Sequence, residues 1–349
     1  MSTLALSVPA HDRRWLHDAR FDLVFIVGVL ALASGSGAIV VAFPQLFWWI
    51  VVVDLWVLGY HHVVSTYTRL CFDRQSLKSH PFLVFGLLPI IALVVFAAGM
   101  TVGLWIVVTV YFYWQWFHYA RQNWGISRAY RGKDPDALYE DRWADQAIFY
   151  ALPVLGVVYR SDQNPGEFLG LPLVVLAVPH WLTIVCAVLT AVLLAYWVVR
   201  RVQAWRSGRL AVVHTLYMTC HFAIFAIGYL IIDDISFGWL AINMWHNAQY
   251  IMFVWLFNAR RFKNGIDPRA RFLSYISQPG RLGLYVLTCL AITGVIYWGV
   301  IGTLNSLFLA GIASTIVFYQ VINFHHYIVD ALVWKLRAGP VRQTMGLAS

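Results

Sequence analysis

The stretch FDLVFIVGVLALASGSGAIVVAF, residues 21–43, runs for 23 residues with one acidic side chain near its start and no basic one. At about 1.5 Å of rise per residue, a helix of that length crosses the roughly 30 Å hydrocarbon layer of a bilayer. Nine further stretches read the same way: 46–70, 81–99, 102–124, 143–159, 178–199, 210–232, 236–257, 282–303 and 307–334. The expectation is an all-α fold, a polytopic membrane helical bundle of about ten transmembrane helices. Residues 1–349 form a single transmembrane domain in this reading, with 1–20 as a cytoplasmic lead and 335–349 as a cytoplasmic tail. Pro153 interrupts the fifth stretch, and the piece from Phe168 to Ala177 reads as re-entrant or interfacial, so nine or eleven crossings stay open.

Composition agrees with a bilayer environment. Of the 349 residues, 60% are hydrophobic and 12% charged, against roughly a quarter charged in a soluble domain. A single water-soluble core, a collagen-like chain, a disordered chain and a disulfide scaffold are all excluded. Cys71, Cys186, Cys220 and Cys289 lie in or beside apolar runs without metal or redox spacing, and read as plain core residues. Arg13, Arg14 and Arg20 precede the first run, which lacks a small-residue cleavage site and therefore reads as a retained anchor.

The net charge of +9 finds its explanation in where the basic residues fall. With the amino terminus in the cytoplasm, 24 of the 25 Lys and Arg lie before residue 21, in the segments 69–80, 121–142, 200–209 and 260–281, or in the tail; Arg160 alone falls outside. Such a partition puts both termini on the cytoplasmic side. It also removes a nucleic-acid partner, because the charge is dispersed over short connections and forms no single stripe. The longest connection, 125–142, carries RGKDPDALYEDR and reads as a short surface helix or an ordered lid.

Ionisable groups within apolar segments are costly and mark functional sites by default. Of twelve histidines, His11, His17, His80 and His180 read as solvated or interfacial. The other eight are His61, His62, His118, His214, His221, His246, His325 and His326. Measured from the nearest basic flank, all of them fall between the midplane and the cytoplasmic face. Four segments share a pattern in which an aromatic residue precedes the histidine and polar groups come after it: GYHHVVSTYTRL from Gly59, WFHYARQNWG from Trp116, MWHNAQYIMF from Met244 and NFHHYIVDALVWK from Asn323.

Neighbouring histidines project about 100° apart on a helix, so a HisHis pair suits two adjacent metals better than one. Neutral imidazole is a ligand for iron, copper and zinc, and a carboxylate or amide usually fixes its tautomer. Asp330, four residues past His326, is the best carboxylate as ligand or orienter, and Asp54 a weaker one. Gln122, Asn123, Asn247 and Gln249 read either as orienting or substrate-binding amides or as interhelical hydrogen-bond partners. Tyr250, one turn past His246, reads as an orienting group or as aromatic packing. Arg69 and Arg121 read as positive-inside anchors, with the alternative that one reaches back to hold an anionic substrate group. His214 and His221, two turns apart, suit either ligation or packing.

On these histidines the chain resembles the integral-membrane non-haem di-iron oxygenases of the desaturase and hydroxylase type; the likeness lies in the cluster and not in that family's HxxxH and HxxHH boxes. The resemblance implies two non-haem iron ions, a hydrophobic, lipid-like substrate at the cytoplasmic leaflet, and a separate electron-donor protein on the cytoplasmic face. No dinucleotide fingerprint is present to supply electrons internally. WHNAQY and NFHHY are also similar to pieces of haem-copper oxidases, which implies haem or copper instead. A zinc hydrolase, or a transporter or structural bundle without metal, completes the alternatives.

Overall fold

The computed structural model describes residues 14–303, 306, 312–334 and 339–347. His11, the start of the tenth stretch at 307–311, and Lys335 lie outside the described residues. Within them the chain is all-α apart from one small hairpin, and its long helices fall where the apolar stretches do: α1 (Ala19–Ala42), α2 (Pro44–Cys71), α3 (Phe82–Thr101), α4 (Leu104–Lys133), α5 (Arg142–Gln163), α6 (His180–Arg206), α7 (Val212–Ile231), α8 (Ile235–Arg261), α9 (Leu282–Gly299) and α10 (Ile312–Val333). Asp18, Asp141 and Asp234 begin α1, α5 and α8, each accepting from a backbone N–H of the first turn.

Seven of these helices are long and apolar enough to cross a membrane: α1, α2, α3, α6, α7, α9 and α10. The expectation of ten rests on α4, α5 and α8 as well, which are as long but more polar. Their polarity has a structural cause. In α8 every residue is buried except Ser236, Phe237, Met252, Arg260 and Arg261, and the buried set includes Asn243, His246, Asn247, Gln249 and Asn258. A helix walled in by α1, α2 and α7 meets protein where an outer helix meets lipid, so it need not be apolar all round.

Two sequence expectations change in detail. Helix α5 runs unbroken through Pro153. Helix α4 continues to Lys133, so the 125–142 connection is mostly helix, closed by a 3-10 turn at Pro135–Tyr139. The piece after α5 is a two-stranded antiparallel hairpin, Glu167–Phe168 with Leu171–Pro172. Its turn places Leu169 at φ 54° and Gly170 at φ 75°, the left-handed pair that a two-residue hairpin requires. Phe168 is buried against Tyr111, Phe112 and Trp239.

Five helices contain a π-helical turn, at Val24–Gly28, Leu55–Gly59, Phe82–Gly86, Ile227–Ile231 and Val295–Ile301, among the described residues. Each such turn adds a residue to the helical repeat and rotates the side chains beyond it about the helix axis. The turn at Leu55–Gly59 immediately precedes Tyr60, His61 and His62.

Arg160, the one cation outside the basic segments, has a specific task. It is 1% exposed, and its guanidinium donates to the carbonyls of Gly228 at 3.2 Å, Asp233 at 2.6 Å and Ile232. These are the free carbonyls at the end of α7. Arg160→Met is expected to cost about 3 kcal/mol, by stranding those acceptors, and a lowered melting temperature in detergent checks it.

Candidate metal centre

The four segments that share the aromatic–histidine pattern lie on α2, α4, α8 and α10, and each sends one histidine to a common point. His62 Nε2 lies 2.8 Å from His326 Nε2. The ring of His246 is 5.4 Å from that of His62 and 5.1 Å from that of His118, and His118 is 4.9 Å from His326, between centroids. Ligand atoms of His62, His118 and His246 fall within 4.8 Å of one another, as do those of His118, His326 and Asp330. All four histidines are buried, His246 and His326 completely.

Hydrogen bonding fixes which ring nitrogens carry lone pairs. His62 Nδ1 is 2.7 Å from the carbonyl of Gly59 and must donate to it, which leaves Nε2 bare in a neutral ring. Thr66 and Tyr250 lie 2.6 Å from each other and 3.0 and 2.8 Å from Asp330 Oδ1, so one hydroxyl donates to the other and the second to the carboxylate. The Thr66 hydroxyl proton is thereby used, and its oxygen accepts from His326 Nδ1 at 2.8 Å. His326 Nε2 is then bare as well. Two lone pairs facing each other at 2.8 Å repel unless a cation lies beside both. A shared proton would satisfy that pair, but not His118 Nε2 or the two nitrogens of His246, all buried without a partner. Nitrogens bound to one ion at about 2.1 Å lie about 3.0–4.2 Å apart, according to the bond angle; here the His62–His326 pair is at 2.8 Å and the atoms of each group lie within 4.8 Å of one another.

Around the four rings the packing is aromatic. Tyr327 stacks on His118 at 4.1 Å and Tyr119 lies over His246 at 4.2 Å. Tyr119 donates to Asn243 at 2.7 Å, and Asn243 in turn donates to Asp54 at 2.7 Å. Asp54 therefore sits behind the aromatic shell. Gln122 donates to Asp330 Oδ2 at 2.7 Å, and Trp334 Nε1 donates to Tyr250 at 2.9 Å.

No protein-family model, curated protein or solved structure matches this chain.

The remaining sequence candidates lie elsewhere. Each HisHis pair is divided. His325 is held between the Tyr67 hydroxyl at 2.9 Å and the Leu83 carbonyl at 2.6 Å, while His61 donates from Nδ1 to Val57 at 3.1 Å on its own helix. His221 is stacked on Phe149 at 3.5 Å and donates from Nε2 to the Phe149 carbonyl at 3.1 Å, the packing alternative for that residue. His214 joins a separate group with Glu140 and Asp145. The donor atoms there are already taken: His214 Nδ1 meets Glu140 at 2.7 Å and Nε2 meets Ser127 at 3.0 Å, Arg131 meets Asp145 at 2.6 Å, and Arg201 pairs with both acids. Two guanidiniums neutralise two carboxylates, so the group ties α4, α5, α6 and α7 together as an ion cluster.

Among the amides, Gln249 bridges the Phe25 carbonyl at 3.1 Å and Tyr217 at 3.3 Å, and Asn123 accepts from Tyr217 at 3.4 Å; both act between helices. Asn247 is buried beside Gly59 with neither amide atom paired. Arg121 is exposed. Thr66, Tyr119 and Tyr327 carry no signal of their own in the sequence, although Thr66 stands four residues after His62 and thus shares its helix face.

Proposed function

We propose that His62, His118, His246 and His326 hold one metal ion, that this ion is non-haem iron, and that the protein is an integral-membrane oxidoreductase of the oxygenase kind acting on a lipid-like substrate. The observation that carries this reading is the convergence of bare, buried imidazole nitrogens from four helices, with two of them 2.8 Å apart. A two-ion centre using seven or eight imidazoles would need His61, His214, His221 and His325, which lie outside the cluster, so four imidazoles with Asp330 behind them suit a single ion. Imidazole favours iron, copper or zinc over hard cations. Haem is disfavoured by space, because His62 Nε2 and His326 Nε2 lie 2.8 Å apart, whereas two axial nitrogens on one haem iron lie about 4 Å apart with the macrocycle between them.

When bound, a redox ion of this kind exchanges electrons with dioxygen. The chain's own residues do the rest. Thr66 and Asp330 hold His326 in the tautomer that presents Nε2, and the Gly59 carbonyl does so for His62. The aromatic shell and the outer apolar helices exclude water from the reacting volume. An apolar substrate reaches the site from the surrounding lipid, and electrons come from a separate donor protein at the basic face. This reading has ten crossings, with α4, α5 and α8 spanning inside the ring of apolar helices, and both termini in the cytoplasm.

Metal analysis and an absorption spectrum on one purified sample test the proposal. The expected result is about one non-haem iron per chain and no Soret band. Stoichiometric haem would overturn it in favour of an oxidase-like protein. A protein free of metal after metal-replete expression would leave a transporter or a structural bundle.

A further inference from the structure

Arg69 closes the last turn of α2, and its guanidinium lies against two rings, 4.2 Å from the centroid of Phe257 and 4.1 Å from that of Trp334, which meet each other edge to face at 5.0 Å. Its Nε and Nη1 are buried without a hydrogen-bond partner. The neighbouring acids are committed elsewhere: Asp73 pairs with Arg261 at 2.6 Å, and Asp330 is occupied by Tyr250, Thr66 and Gln122. A permanently charged group with two unpaired buried nitrogens is costly unless an anion meets it. Carboxylate and phosphate oxygens are the usual anionic partners of a guanidinium.

We infer that the Arg69 guanidinium is an oxyanion site, and that it receives the head group of an amphiphilic substrate whose chain extends toward the histidine cluster. The substrate assignment rests on the oxidoreductase reading above; the anion site does not. Position supports the link. Arg69 is one helical turn from Thr66, the residue that orients His326, and Trp334 connects the two by donating to Tyr250 at 2.9 Å. An oxyanion held there lies about one turn, roughly 5 Å along the helix axis, from the level of Thr66. The preferred substrate is then a fatty acid or another single-chain anion, and not a hydrocarbon or alcohol.

Isothermal titration on the detergent-solubilised full chain, using dodecanoate, dodecanol, acetate and inorganic phosphate, tests this. Dodecanoate is expected to bind about tenfold or more tighter than dodecanol, and Arg69→Met to abolish that difference, with Arg69→Lys intermediate. Acetate or phosphate binding as tightly as dodecanoate would identify the ligand as a free oxyanion and overturn the amphiphile assignment while keeping the site. Equal binding of dodecanol and dodecanoate, or unchanged dodecanoate binding by Arg69→Met, would overturn the site. Without ligand, Arg69→Met should keep or raise the melting temperature, since it removes an unpaired buried charge; a fall would make Arg69 a structural pin and overturn the proposal. His246→Ala, tested in parallel, should retain Arg69-dependent dodecanoate binding, so that the metal and anion readings fail separately.

Discussion

Replacing His246 by alanine should strip the protein of its metal while leaving it folded. Both nitrogens of this ring are buried without a hydrogen-bond partner, so no protein hydrogen bond is lost with them. The ring is 0% exposed and lies under Tyr119, which keeps its own bond to Asn243. Losing one of four ligands is expected to weaken metal binding by about a hundredfold or more, since even the residues that orient ligands matter tenfold to a hundredfold. Thr66→Val is expected in that lower range, by releasing the tautomer of His326. His221→Ala is the opposing control: it should keep full metal content and lose about 1–3 kcal/mol of stability, because its Nε2 bonds the Phe149 carbonyl. Elemental analysis beside circular dichroism reads both effects. Full metal content in His246→Ala would sink the metal-centre reading.

The largest effect on folding is expected from Gly238→Ala. Helices α7 and α8 cross so closely that a Cβ on Gly238 would be driven into the Gly228 carbonyl, and one on Gly228 would meet Ile242 at 2.5 Å. The obstacle is backbone, which cannot swing aside as a side chain can. Prising the two helices apart would also disturb the Arg160 bonds to the end of α7 and the packing of α8. A cost of about 4 kcal/mol or more is expected, at the extreme end for a point substitution. Folded protein should fail to accumulate on gel filtration in detergent. Gly35→Ala meets nothing within 4 Å and should be neutral or slightly stabilising through helix propensity. Equal yields of the two variants would refute the close crossing.

The positions of the helices are legible in the sequence because uninterrupted apolar length is a strong signal, and so is the clustering of histidines on the four segments that share a pattern. Which ring of each pair turns inward is not. The π-helical turn at Leu55–Gly59 rotates every later residue of its helix, so Asp54, seven residues before His61, bonds Asn243 and not the histidines. Spacing alone likewise cannot distinguish His221, whose face meets Phe149, from a ligand. The link between Asp330 and His326 is visible as a four-residue step, and the same step from His62 leads to Thr66, but a threonine mid-helix carries little signal by itself. The ion cluster around Arg201 joins residues 140, 145, 201 and 214, a long-range meeting that only the packing of α5 on α6 brings about.

The buried polar spine of α8 bears on how the chain enters the bilayer during synthesis. A segment carrying Asn243, His246, Asn247, Gln249 and Asn258 is a poor substrate for release into lipid on its own, since each unpaired polar group opposes partitioning. Its three main walls, α1, α2 and α7, all precede it in the chain, so its burial needs no later segment on those sides. Helix α10, which carries the fourth ring of the cluster, emerges afterwards. The histidine cluster is therefore complete only once the segment bearing His326 has followed the other three.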